Sequence, residues 1–156
     1  MTARKAAQAA KNQFDSCYKM LETLTDVCPD EVWKTVYNDI PFWYTVYHVV
    51  YFVDYWLRED YSNEEFMTMR FIEGIPPEFE YEVDNTLAIP RQDIREYLRK
   101  VHEKTDRVLG RLSDEDLGRE IGIEGRTYMD IIIGQSRHIM YNIGYLNGIL
   151  RSLGME

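Results

Sequence analysis

The chain has 156 residues, the length of one ordinary domain, and a fold of that size buries roughly 70% of the surface its unfolded chain would expose. Hydrophobic residues make up 45% and charged residues 29%, which excludes intrinsic disorder and a collagen-like repeat. With 18 basic against 27 acidic residues the net charge is −9, so a nucleic-acid partner, which needs a basic surface to release counterions, is not expected.

Residues 1–10 carry Arg4 and Lys5 before a short Ala run and lack the apolar stretch of a signal peptide. The longest nearly uncharged run, residues 40–53, is too short and too rich in Tyr to cross a bilayer, so no membrane partner is expected. Cys17 and Cys28 form no Cys-x-x-Cys motif and read as free thiols of a cytoplasmic protein. These features predict a single domain over residues 1–156, with a ring-rich core drawn from 12 Tyr, 6 Phe and 3 Trp.

In residues 6–24, Ala7, Ala10, Phe14, Cys17, Tyr18, Met20, Leu21 and Leu24 recur at steps of three and four, which predicts an amphipathic helix ended by Pro29. Asp30 can cap a short turn through Trp33 and Val36. Pro41 opens a second long helix running to about Arg58. Its apolar residues, from Phe42 and Trp43 to Trp56 and Leu57, cover most of the circumference, so it belongs at the centre of the fold.

Residues 59–88 hold Gly74, Pro76 and Pro77 with no sustained period and predict a long connection, with one helical turn over residues 62–66. Pro90 opens a third helix that ends near Gly110. Residues 112–125, with Gly118, Gly122 and Gly125, read as loop. Thr127 and Asp130 resemble a capping box ahead of a fourth helix that runs to about Leu153. The predicted fold is all-α: a four-helix bundle with a long crossover between the second and third long helices.

Three histidines bear on the chemistry. His48 lies in the middle of the second helix and His138 in the middle of the fourth. Asn142 follows His138 by one turn, about 40° round the helix, beside an apolar arc of Ile131, Ile139, Leu146 and Leu150. Two imidazoles on core helices suit a divalent metal with an open position, or two satisfied core histidines. His102, among Arg99, Glu103 and Asp106, reads as solvated, as do Asp114 and Asp116. Gly144 and Gly148 read as a close helix contact or a dimer contact. The chain has no Glu-x-x-His, His-Glu-x-x-His, P-loop or Gly-x-Ser-x-Gly motif.

The run from Pro41 through Tyr44, His48 and Asp54 to Leu57 resembles the second-helix signature of the DinB superfamily, in which aromatic residues lead into a metal-ligating His. The run from Gln135 through Arg137, His138, Tyr141, Asn142 and Gly144 to Arg151 resembles its last-helix signature. The resemblance implies a four-helix bundle with a three-His site holding Zn, Ni, Fe or Mn, with His48 and His138 as two of the ligands. Asn142 stands where the family's third His falls, and Tyr141 stands where a further His is common. Asn142 as a weak third ligand, water completing a two-His site, and a metal-free site are three arrangements consistent with that departure.

Tyr44, Tyr51, Tyr141 and Tyr145 are the expected pocket-lining residues. Characterised members of the family use low-molecular-weight thiols, so the resemblance implies a metal-dependent enzyme, a thiol S-transferase or a hydrolase or isomerase, acting on a small molecule. The alternative is a non-catalytic, metal-free member that binds a small ligand or an interaction partner. A homodimer is expected from the resemblance and the aromatic-rich surface.

Overall fold

The computed structural model describes residues 2–58, 61–62, 75, 78 and 88–155. The chain enters α1 at Lys5 and stays helical to Val27. Its buried residues, Ala7, Phe14, Tyr18, Leu21 and Leu24, keep the three-and-four spacing of one apolar face. Cys28 then turns extended ahead of Pro29, which takes the cap position expected of Asp30, and the single turn α2, Asp30–Trp33, stops short of Val36. The indole Nε1–H of Trp33 donates to the Ile89 carbonyl at 2.8 Å and ties this turn to the segment before α4.

A small feature absent from the sequence expectation follows. Val36–Tyr37 (β1) and Ile40–Pro41 (β2) pair antiparallel across Asn38 and Asp39, both at positive φ (48° and 65°). Asn and Asp tolerate this left-handed conformation better than most residues, and two such residues in succession make the tight primed hairpin turn. At two residues per strand the hairpin is too short to leave an alternating pattern.

Helix α3, Phe42–Trp56, buries ten of its fifteen residues, as its nearly continuous apolar surface requires. α4, Arg91–Gly110, buries Ile94, Tyr97, Leu98, Val101, Val108 and Leu109. A 3-10 turn at Asp116–Gly118 and a bridge between Glu120 and Thr127 order the following loop. α5, Tyr128–Ser152, begins at the expected capping box: the Thr127 hydroxyl accepts from the Asp130 backbone, while Asp130 accepts from the Thr127 N–H at 2.8 Å. Asp114, expected in solvent, accepts from the Ala7 N–H at 2.8 Å and so caps the first turn of α1.

The protein is all-α, with four long helices among the described residues. α1 packs on α4 and α5, and α3 packs on the same two, so α1 and α3 lie across the core from each other. Of the long connection between α3 and α4 only a few residues are described. The turn expected over residues 62–66 lies outside them, apart from Ser62. Gly144 and Gly148 are not close-packed: a Cβ at either would meet nothing within 4 Å, so they make no close helix contact among the described residues.

Beneath α3 and α4 lies a buried polar group. Asp54 is fully buried; its carboxylate accepts from the Tyr97 hydroxyl at 2.9 Å and from the Lys104 ammonium, which also donates to the Asp54 carbonyl at 2.6 Å. Burial lowers the Lys104 pKa from its ordinary value, with Asp54 pulling the other way. Burial first, and the Asp54 charge second, push the Tyr97 phenol up, which keeps it a hydrogen-bond donor.

Candidate metal centre at the interface of α3 and α5

The packing of α3 on α5 brings together the two histidines that the sequence singles out. His48 Nε2 and His138 Nε2 approach to 3.0 Å, with the ring planes 70° apart. At that distance the pair is a hydrogen bond in which one Nε2 carries the proton and the other accepts. Both rings are half-buried. Phe52, one turn after His48, packs on both: its ring centroid lies 5.0 Å from His48 and 6.0 Å from His138, edge-on in each case.

His138 is electrostatically marked. Burial first, and the neighbouring His48 ring second, bring its pKa down to about 4. Its Nδ1 is buried and has no hydrogen-bond partner among the described residues. One turn before it, Gln135 is buried with its Oε1 in the same condition. One turn after it, Asn142 is buried and donates from Nδ2 to the His138 carbonyl at 2.9 Å. Gln135, His138 and Asn142 thus make a polar stripe on the buried face of α5.

The depressed pKa has a stability consequence whose sign is fixed by linkage. Between pH 6.5 and 4 an unfolded chain protonates this imidazole and the folded chain does not, so the folded state loses stability as pH falls through that window. Allowing for the ring's solvent-exposed edge, the loss is about 1–2 kcal/mol. Urea unfolding of wild type and His138→Gln at pH 7, 5.5 and 4.5 checks this. The expected result is a midpoint that falls with pH in wild type and falls less in the variant.

The residues present fit a divalent cation in part. Two imidazole nitrogens from separate helices lie side by side, burial keeps the His138 lone pair available at neutral pH, and 3.0 Å lies near the edge spanned by two adjacent nitrogen ligands, about 2.9–3.4 Å for metal–nitrogen bonds of about 2.0–2.1 Å. Asn142 sits on the right turn of the right helix, but its amide nitrogen is turned to its own backbone.

The rings expected to line a pocket divide. Tyr51 is half-buried and its ring lies 5.5 Å from Phe52, at the edge of the histidine pair. Tyr145 is half-buried, and its hydroxyl accepts from Asn38 Nδ2 at 3.3 Å and donates to the Tyr37 carbonyl at 3.5 Å, which docks the hairpin on α5. Tyr44 is fully buried and donates to the Glu78 carbonyl at 2.7 Å. Tyr141 is 77% exposed. Phe52, in ring contact with both histidines, is the residue the expectation omits; its position four after His48 was the available signal.

His102, expected in solvent, is a further correction. It is half-buried between α1 and α4, with Nδ1 2.6 Å from Glu22 Oε1 and its ring 5.2 Å from that of Tyr18. It also belongs to the metal-capable group found among the described residues: ligand atoms of Asp15, His102 and Asp106 all lie within 4.8 Å of one another. The Lys11 ammonium already bridges the two carboxylates, at 2.5 Å from Asp15 and 2.7 Å from Asp106. A built-in cation therefore occupies the position an ion would take. Sequence spacing missed the group because its members come from two helices about ninety residues apart.

Four long helices among the described residues, with a histidine pair where α3 packs on α5, define an all-helical protein with two imidazoles at a helix–helix interface. The family model of the DinB superfamily matches residues 13–145, and the chain belongs to that superfamily. No curated protein and no solved structure matches the chain. No described helix is long and apolar enough to cross a membrane.

Proposed function

We propose that His48 and His138 hold a divalent cation, with Asn142 as the adjacent oxygen donor, and that the chain is a metal-dependent enzyme acting on a low-molecular-weight thiol. The observation that carries this reading is the approach of the two Nε2 atoms to 3.0 Å from separate helices. Zn, Ni, Fe and Mn all accept imidazole nitrogen. When bound, such a cation supplies Lewis acidity that lowers the pKa of a coordinated thiol and makes thiolate available near neutral pH.

The chain's own residues do the rest. His138, held neutral by burial, offers a lone pair at the pH of the cell. Phe52 shields the pair from water and fixes both ring planes. Asn142 can turn its amide oxygen toward the pair by giving up its bond to the His138 carbonyl. Tyr51 lies at the edge of the pair, where a phenol hydroxyl can hydrogen-bond a substrate. The net charge of −9 raises the local concentration of cations.

A cytoplasmic location, a single domain and a homodimer go with this reading. Both cysteines are free, as a reducing compartment allows, and exposed apolar side chains such as Ile133 and Met140 line a shallow groove between α1 and α5.

A second reading has its own support. The Asn142 amide bonds backbone and the two histidine Nε2 atoms bond each other, so neither Nε2 needs an ion; on that reading the protein is a metal-free, non-catalytic binder of small ligands. Conjugation of glutathione, bacillithiol or mycothiol to an electrophilic test compound separates the two. The enzyme reading expects turnover that follows added cation and disappears in His48→Ala. Cation binding without any thiol turnover would leave the metal centre standing and remove the thiol chemistry.

A further inference from the structure

Arg58 follows the C-cap of α3 and is only 2% exposed. Of its three guanidinium nitrogens, Nη2 donates to the Tyr61 carbonyl at 3.4 Å, a long bond. Nε and Nη1 are buried and have no hydrogen-bond partner among the described residues. Those two nitrogens carry three of the five guanidinium N–H donors, on a group that keeps its charge at any physiological pH.

Among the described residues, neither a carboxylate nor the end of the helix meets this demand. The carboxylate one turn earlier, Asp54, is already held by the Lys104 ammonium and the Tyr97 hydroxyl. Among the described residues, two buried cations therefore accompany this one buried carboxylate. An Arg at a helix C-terminus commonly takes the last carbonyls, but the Asp54 carbonyl accepts from Lys104 and the Trp56 carbonyl from the Tyr61 hydroxyl. The rings of Tyr55 and Tyr61, 4.4 and 5.4 Å from Cζ, offer cation–π attraction. That attraction is weaker than the hydration a buried guanidinium gives up, and it satisfies none of the N–H groups.

We infer that Arg58 anchors an oxyanion-binding site, in which a carboxylate or phosphate group is received by Nε and Nη1 beside the Tyr55 and Tyr61 rings. An oxyanion matches the unmet demand in both charge and acceptor number. Arg58 lies ten residues beyond His48, about 15 Å along α3, so this site is separate from the histidine pair and does not rest on the cation reading.

The test is thermal unfolding of wild type, Arg58→Met and Arg58→Lys at constant ionic strength, titrated in one arm with inorganic phosphate and in another with acetate. The site predicts a saturable rise in Tm with at least one anion in wild type, a smaller rise in Arg58→Lys and none in Arg58→Met. A response confined to one arm assigns the ligand as phosphate-bearing or carboxylate-bearing. The Nε–H resonance of wild-type Arg58, followed by NMR through the same titrations, gives a readout that needs no variant to fold; it is expected to shift and saturate. No saturable rise with either anion, an equal rise in Arg58→Met, or a resonance unmoved by both anions overturns the inference, and would mean that a group of the protein itself meets the charge.

Discussion

Replacing Asp54 by Asn is expected to destabilise the protein by about 3–5 kcal/mol near neutral pH, the scale of breaking a buried ion pair from one side. The carboxylate is fully buried and holds two buried partners, the Lys104 ammonium and the Tyr97 hydroxyl. A neutral amide keeps the shape and leaves the ammonium without its counter-charge. Burial already lowers the Lys104 pKa, so the unpaired amine is poised to shed its proton in the variant. A Lys whose folded pKa is depressed regains stability as pH rises, so the deficit of Asp54→Asn is expected to shrink between pH 7 and 9.5. The double variant Asp54→Leu/Lys104→Met removes both charges and is expected to recover most of the loss. Urea unfolding of the three proteins at both pH values checks the set; a deficit independent of pH, or a double variant as unstable as the single, contradicts the ion-pair account.

The second large effect concerns the histidine pair. His48→Ala and His138→Ala are each expected to abolish cation binding, because either removes half of the two-imidazole set. Asn142→His is expected to tighten binding by at least about tenfold, since imidazole is a better donor than an amide oxygen for Zn or Ni. Asn142 stands one helical turn after His138 on the buried face of α5, so a His there needs no backbone change. Cation titrations followed by Co(II) absorption, run on the four proteins, measure this order directly. Equal affinities for wild type and Asn142→His would mean that position 142 does not reach the pair.

The parts of this architecture that were legible in the sequence are those written in local pattern. α1 and α4 show one-sided apolar spacing, α3 is apolar nearly all round, and the ends of α4 and α5 carry Pro90, Gly110 and the Thr127–Asp130 capping box. The hairpin around Asn38 and Asp39 was not legible because two-residue strands have no period. His48 and His138 stood out as the two imidazoles at the middle of core helices, but their approach is a property of α3 packing on α5, and periodicity within one helix says nothing about it.

Long-range polar partners were hidden for the same reason. Asp114 reads as a loop acid until Ala7 is seen to donate to it, and His102 reads as a surface residue until Glu22 and Tyr18 on α1 close over it. The unmet donors of the Arg58 guanidinium depend on knowing that Asp54, one turn away, is already taken by residues about fifty positions later in the chain.

The central claim is that the two imidazoles form a cation centre, and the most direct test is metal content. The untagged protein, purified without chelator, is loaded with Zn, Ni, Mn or Fe(II), dialysed and analysed by mass spectrometry beside His48→Ala and His138→Ala. The account predicts close to one equivalent of one of these ions in wild type and a loss of that equivalent in both variants. No retained ion under any loading, or an equivalent that survives both substitutions, contradicts it.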